Sequence, residues 1–587
     1  MKIQSRYLVY LFLFGMSVFI HAQVISNSNK SAMAQQDLTP QPKEIVLDAL
    51  QAKGGAIIKT DQGENAVLFP ALNPLGDKIA WKIPGSLPSG LWQLDIDFYQ
   101  PEGVFSPNQI MSFEAENGEK LGALDFYYIG LIKGTYTKSI GFYSPKAASV
   151  ISFMKSAQRN TNTVAIRAIR IVLASASTLK NLMFVFQLQV IGQQVKLPIP
   201  LPSGLYVVNT SKPVALNWLS PDKSTFPTPL ARELHVFLDK PSQPFISSDG
   251  VVNDIQLTHY PTLVEPDMSS AGNVPLMVAS DSSKFEIRTL KLIGYKGSVT
   301  PQPDLFPGGK TMAVVTSWDD GNVKDLQVME MLIKYRMKGT FFMNRNSQMI
   351  PRLRELEEKG MEIGSHSWSH PALYNSTPKR VLDELVEMRR FLEKEVQHPV
   401  ISFAYPFNYQ PAYDADGNYV LRSMRQAGYW SGRATTTGDN SIDSIPQPLA
   451  MRPNFHFKVG AVKTKEKLEQ LLNNSGSILY IWGHSYELAG DGEKILDDVL
   501  STVANRPEIW YADLGELMIW QYTRNKMIIE TTSNNDGGKS FILKMPELNS
   551  YLRKQVPVSL SIPKGVKEVL WQGKKIPVVN GQVQLVW

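Results

Sequence analysis

Met312-Ala313-Val314-Val315-Thr316-Ser317-Trp318-Asp319-Asp320-Gly321 is an apolar run that ends on two adjacent carboxylates and a glycine. Met312 to Ser317 reads as a buried strand, and the pattern after it decides the fold class. Val323 to Arg336 reads as a helix, Thr340 to Met343 as a strand and Met361 to Gly364 as another. Pro378 to Val396 is a long helix with Val381, Leu385, Met388, Leu392 and Val396 on one face. Ile401 to Ala404, Ile478 to Ile481 and Ile509 to Ala512 are further strands, interleaved with helices at 465–472, 495–503 and 514–522. Repeated strand–helix alternation implies a parallel sheet, here long enough to close into a distorted (β/α) barrel.

Barrels of this kind carry their reactive side chains just beyond the C-terminal strand ends. Asp319 and Asp320 sit at such an end. Adjacent carboxylates repel unless a cation lies between them or their roles differ. The pair therefore reads as one base and one metal ligand, against the plainer alternative of an Asp-Asp-Gly turn. Ser365-His366-Ser367-Trp368-Ser369-His370-Pro371 follows another strand. Its two histidines, four apart, can converge on one ion if the segment coils. Phe403-Ala404-Tyr405-Pro406-Phe407-Asn408 ends a third strand, and Ile481-Trp482-Gly483-His484-Ser485-Tyr486-Glu487 a fourth.

In chain order and strand-end placement these four elements resemble the polysaccharide deacetylase family (carbohydrate esterase family 4, or NodB homology). The resemblance runs from about 311 to 522. It implies a metal-dependent hydrolase of the carbon–nitrogen bond in acetylated sugars. In it Asp319 is the general base, Asp320, His366 and His370 hold one divalent metal, and His484 is the general acid. Zn²⁺ is the expected ion, with Co²⁺ or Mn²⁺ compatible with the same ligands. The resemblance also places an oxyanion-binding backbone N–H near Phe407 and lines the substrate site with Tyr405, Phe407 and Trp482. One departure stands out. The family often carries Arg in the third element, where it holds the base, and this sequence has Ala404, as a subset of the family does. Arg452, in Met451-Arg452-Pro453-Asn454-Phe455-His456, is a candidate substitute. The Asp that orients the acid in the family has no clear counterpart, with Asp439 and Asp443 both possible.

Outward from this domain, assigned to 306–525, Pro301 to Gly309 reads as a linker. Residues 44–175 and 176–300 read as two β-sandwich modules with short alternating strands. Leu87-Pro88-Ser89-Gly90-Leu91-Trp92 recurs as Leu201-Pro202-Ser203-Gly204-Leu205-Tyr206, and Ile166 to Ile171 is echoed by Ile287 to Leu292, which suggests a tandem duplication. Trp92 and Tyr206 hold matching positions, either as core or as platforms for a pyranose ring. Residues 526–587 read as a small C-terminal β module. Residues 24–43 are polar, as in a flexible leader. Residues 1–23 read as a secretory signal, with Lys2 and Arg6 ahead of the apolar stretch Leu8 to Ile20.

The 587-residue chain has no cysteine, so disulfides, thiolate metal sites, a Cys nucleophile and a lipid-anchored N-terminal Cys are excluded. It has only eight histidines, so any metal site draws on His, Asp and Glu. A net charge of +6, spread over the whole length, forms no basic tract and argues against nucleic acid. No other segment is apolar enough to span a bilayer, so no membrane insertion is expected after signal cleavage and the protein reads as secreted or periplasmic. The expected partner is an acetylated polysaccharide or oligosaccharide. Two alternatives stay open: a non-catalytic carbohydrate-binding protein on a degenerate barrel, and a related hydrolase of non-sugar amides.

Overall fold

A computed structural model describes residues 44–586, with interruptions at 533–537 and at short stretches between 70 and 274. The signal and leader segments lie outside the described residues. The chain divides into two compact units, the first formed by most of the residues up to Ala174 and the second by most of those after it.

In the first unit, Gly90–Gln100 pairs antiparallel with Val164–Leu173, which pairs in turn with Glu44–Asp48. A second antiparallel set joins Lys78–Leu87, Ala148–Lys155 and Ile110–Ala115. Alternation sets the buried face: Trp92, Leu94, Ile96 and Phe98 all point inward. Trp92 is wholly buried and its indole N–H donates to the carbonyl of Pro88, so it is core and not a sugar platform. Tyr206, in the second unit, is equally buried.

The second unit opens with antiparallel strands in the order Met183–Ile191, Ile255–Tyr260, Gly204–Val214 and Ala231–Leu238. Gly90 and Gly204 each begin a long strand with φ of +156° and +155°, so that echo has a shared backbone basis. The other echo does not. Ser280–Leu292 pairs with Lys539–Leu548 and Glu568–Trp571, whereas Val164–Leu173 pairs with Gly90–Gln100. Alternating Ile and Arg is what any half-buried strand shows. The pairing also shifts the expected boundaries. A strand assigned to residues before 300 completes a sheet with residues after 526, because its apolar face (Leu290, Leu292) packs on Phe541, Leu543 and Val569.

The central domain is built on eight parallel strands: β1 Met312–Asp319, β2 Thr340–Met343, β3 Glu362–Ser365, β4 Ser402–Ala404, β5 Ser431–Arg433, β6 Phe455–His456, β7 Ser477–His484 and β8 Ile509–Ala512. The ladder runs β5-β4-β3-β2-β1-β7, with β6 beside β7 and β8 sharing the start of β1. It is a curled sheet whose ladder stays open between β5 and β6, where one bridge links Arg433 to Met451. The expected closed barrel is thus only partly formed. Every residue of β1 is buried, as in a sheet covered on both faces. Met312, Val314 and Trp318 pack on one side, and Ala313 and Val315 on the other.

The longest helix, Pro378–Val396, buries the five apolar residues its periodicity marked. Thr377 caps it by accepting from the N–H of Arg380, and Pro378 sits at its first position, where a missing N–H costs nothing. Ala412–Asp414, just past the third element, adds a parallel strand to the edge strand Ala231–Leu238. His235 on that edge hydrogen-bonds Asn375 and Gln410, which ties the loop carrying Phe407 to the β region before the domain.

Candidate active site

Asp319 is the last residue of β1 and stands in register with His484, the last residue of β7. The chain then turns sharply. Asp320 has a φ of +75°, and Ser367, His370 and Phe407 lie between +60° and +62°. Left-handed backbone at a residue with a Cβ costs about 1–2 kcal/mol, and it persists where surroundings over-determine it. Here they do. Ser347 donates its hydroxyl to the carbonyl of Asp320. The wholly buried Glu384 accepts from the amide and hydroxyl of Ser369 and from Arg380, which pins the loop of His370.

Three donors converge at this end of the sheet. Nε2 of His366 and Nε2 of His370 are 3.1 Å apart, and Oδ1 of Asp320 lies 3.6 Å and 3.3 Å from them. Tetrahedral Zn²⁺ with ligands at roughly 2.0–2.1 Å needs donors about 3.3 Å apart, so the three fit one divalent ion with coordination positions to spare. Protonation agrees. Nδ1 of His366 donates to the carbonyl of Ala404 at 2.8 Å, which leaves Nε2 as a lone pair facing the other donors. Burial pushes His366 down to about 4 despite the nearby Asp319 carboxylate. Burial would raise Asp320, but the hydrogen bond from His370 and the charge of the imidazoles hold it at about 2.

Asp319 lies behind these donors and is 2% exposed. Its Oδ2 accepts from the guanidinium of Arg433, itself wholly buried. Burial works to raise the Asp319 carboxyl, and Arg433 leads the charges that bring it below its ordinary value. Its Oδ1 has no hydrogen-bond partner among the described residues. The expected partner, Arg452, is elsewhere: its side chain lies over Gly438 and its carbonyl accepts from Asn440. The reason is strand register. Arg433 ends β5 directly opposite Ala404 on β4, so the guanidinium absent from position 404 enters from the adjoining strand.

His484 faces the same space, with Nε2 4.0 Å from Oδ2 of Asp320. Its Nδ1 is 3.2 Å from Oε2 of Glu487, which also accepts from the amide of His484 at 3.0 Å. Burial disfavours the imidazolium, but Glu487, Asp319 and Asp320 outweigh it and raise the His484 value. Neither Asp439 nor Asp443 is its partner. Asp439 pairs with Lys467 and Asn454, and Asp443 with Arg524. Glu487 lies three residues after His484 and closes a capping box with it, a spacing visible in the sequence.

The residues expected to line a substrate site divide. Phe407 is 46% exposed and sets its ring edge-on to His370, with centroids 5.1 Å apart. Trp482 is partly exposed and lies under the Arg433 guanidinium, 4.5 Å from its carbon. Tyr405 is a correction. It is 1% exposed, its hydroxyl donates to the carbonyl of Leu449, and its ring packs on Phe403. Alternation along the strand turns it into the apolar core, away from the mouth. Tyr486, not singled out from sequence, is 45% exposed and stacks on His484.

A family model described as polysaccharide deacetylase matches residues 308–430. Over this segment the chain is similar to the polysaccharide deacetylase family. The matched segment holds Asp319, Asp320, His366, His370 and Phe407, while Arg433 and His484 lie beyond it. The chain is 25% identical over 130 residues to the peptidoglycan-N-acetylglucosamine deacetylase of Bacillus cereus, covering 21% of this chain and 56% of that protein. It is 32% identical over 102 residues to a peptidoglycan-N-acetylmuramic acid deacetylase of Bacillus subtilis, covering 16% of this chain and 21% of that one. The match thus spans little more than half of the first relative. Among solved structures, the chitin deacetylase of Colletotrichum lindemuthianum aligns over 38% of this chain and 92% of its own, at 17% identity and a TM-score of 0.26.

Proposed function

We propose that the domain at 306–525 is a metal-dependent deacetylase of an acetylated polysaccharide or oligosaccharide, acting on N-acetyl amino sugars in preference to O-acetyl groups. The observation that carries this is the convergence of Asp320, His366 and His370 between two unlike groups, the ionised Asp319 and the proton-retaining His484. Environments that push two titrating groups apart assign the base and the acid.

A divalent ion, Zn²⁺ by donor type, held by these three residues would polarise the acetyl carbonyl and acidify an attacking water. Oδ1 of Asp319 accepts that water's proton, while Arg433 holds Oδ2 and keeps the carboxylate aimed. The backbone N–H of Phe407 donates to the oxygen that gains charge as the carbonyl carbon becomes tetrahedral. His484 gives its Nε2 proton to the departing nitrogen, and the products are acetate and a free amine. An amine leaves poorly without that proton, so a His whose charged form is favoured by Glu487, Asp319 and Asp320 suits an amide substrate. The relatives named for N-acetylglucosamine and N-acetylmuramic acid support the same class.

Export from the cytoplasm rests on Lys2, Arg6 and the apolar run Leu8 to Ile20. Among the described residues no helix is long and apolar enough to cross a membrane. The test is acetate release from a panel of N- and O-acetylated glycans and simple acetamides, with and without chelator. Release from N-acetylated glycans that stops on chelation and returns with Zn²⁺ supports the proposal. Glycan binding without turnover on any of them would refute it.

A further inference from the structure

We propose that His456 is a positioning residue for proton delivery, acting on His484 through Glu487. This rests on the reading of His484 as the acid. His456 lies on β6, paired in register with Trp482 of β7. Its Nδ1 accepts from the amide of Lys458 at 3.3 Å, so its own proton resides on Nε2. That Nε2 is 2.9 Å from Oε2 of Glu487, the same oxygen that takes the amide and Nδ1 protons of His484. One carboxylate oxygen thus serves three donors, and two belong to the residue it must orient.

The His456 ring is itself fixed. Phe457 stacks beside it at 5.1 Å, and Trp482 meets it edge-on at 4.7 Å. Glu487 needs such a hold because its side chain is 25% exposed. Without the Nε2–H of His456 it is free to turn to water. His484 would then lose the acceptor that keeps one proton on Nδ1 and points Nε2 at the reacting atoms. Imidazole orientation by a third group is a recurring requirement of acid–base catalysis. Here the third group has a fourth behind it.

The leaving group supplies the discriminating readout. A departing amine must be protonated, whereas 4-nitrophenolate departs without help. Kinetics would be measured for the full-length metal-loaded protein on an N-acetylglucosamine oligomer and on 4-nitrophenyl acetate. His456→Ala should lower kcat on the oligomer about 10–100-fold, the usual effect of losing such an outer partner, with KM nearly unchanged. Its turnover of 4-nitrophenyl acetate should stay near wild type. His456→Gln, whose amide can donate from the place of Nε2, should recover most of the loss. His456→Asn, which retains the acceptor toward Lys458 but not the reach to Glu487, should not, and it carries the comparison if the alanine variant fails to fold. Equal losses on both substrates, or none on the oligomer, would overturn the proposal. A wild-type protein inactive on both would instead remove the deacetylase reading beneath it.

Discussion

The Arg433 guanidinium donates to Oδ2 of Asp319 although the two lie on strands at different places in the sheet, and both side chains are buried. Removing one partner of a buried ion pair leaves the other charge uncompensated, at about 3–5 kcal/mol. Arg433→Ala should therefore lower the midpoint of thermal unfolding and depress kcat on an N-acetylated glycan by about 10²-fold or more, since the proposed base is no longer held ionised and aimed. Arg452→Ala should leave both near wild type. Calorimetry and steady-state kinetics on the two variants check this.

Tyr405 is expected to matter for stability and not for substrate. Tyr405→Phe removes a buried hydroxyl and leaves the Leu449 carbonyl unpaired, at roughly 1–3 kcal/mol. Denaturant unfolding should show that loss, while KM for any acetylated glycan stays unchanged.

A pH effect on stability follows from Asp513 at the other end of the sheet. Burial, then the charges of Glu516 and Glu362, push its carboxyl well above its ordinary value. A carboxyl raised by folding contributes stability below its unfolded value of about 3.9 and loses it as pH climbs through the folded value. The wild-type Tm should fall as pH rises from 5 to 8. Asn at 513 can still cap the following helix by accepting from the Glu516 amide, the role Asp513 fills now. Asp513→Asn should therefore flatten the fall and exceed the wild-type Tm at pH 8 by about 2–4 °C for each ~1 kcal/mol relieved.

Metal binding should depend on His366 and His370 jointly. His366→Ala should abolish stoichiometric Zn²⁺ retention after dialysis. Ala404→Gly, which keeps the carbonyl that accepts from His366, should retain the ion.

Much of the domain was legible in the sequence because its elements are long or strongly patterned. β1, the helix Pro378–Val396 and the strand ends carrying Asp319, His366 and His484 fall where periodicity put them. Arg433 was hidden because β5 has only three residues, Ser431–Arg433, too few for any alternation to register. Arg452 is expected to reach in from a neighbouring strand, but cross-strand pairing gives that place to Arg433, opposite Ala404. Glu487 was visible by its spacing from His484. His456, by contrast, joins the site only through the β6–β7 pairing, which no local pattern shows. Sheet partnership also hid the boundary near 300, since Ser280–Leu292 finds its neighbours some 250 residues further on, at Lys539–Leu548.

Asp319 is the proposed base, beside a metal that Asp320, His366 and His370 would hold. Acetate release and bound Zn²⁺ should be measured together on the wild-type protein and on Asp319→Asn, with an N-acetylated glycan as substrate. A variant that keeps one equivalent of Zn²⁺ and loses nearly all turnover is the expected result. Undiminished turnover in Asp319→Asn would contradict it.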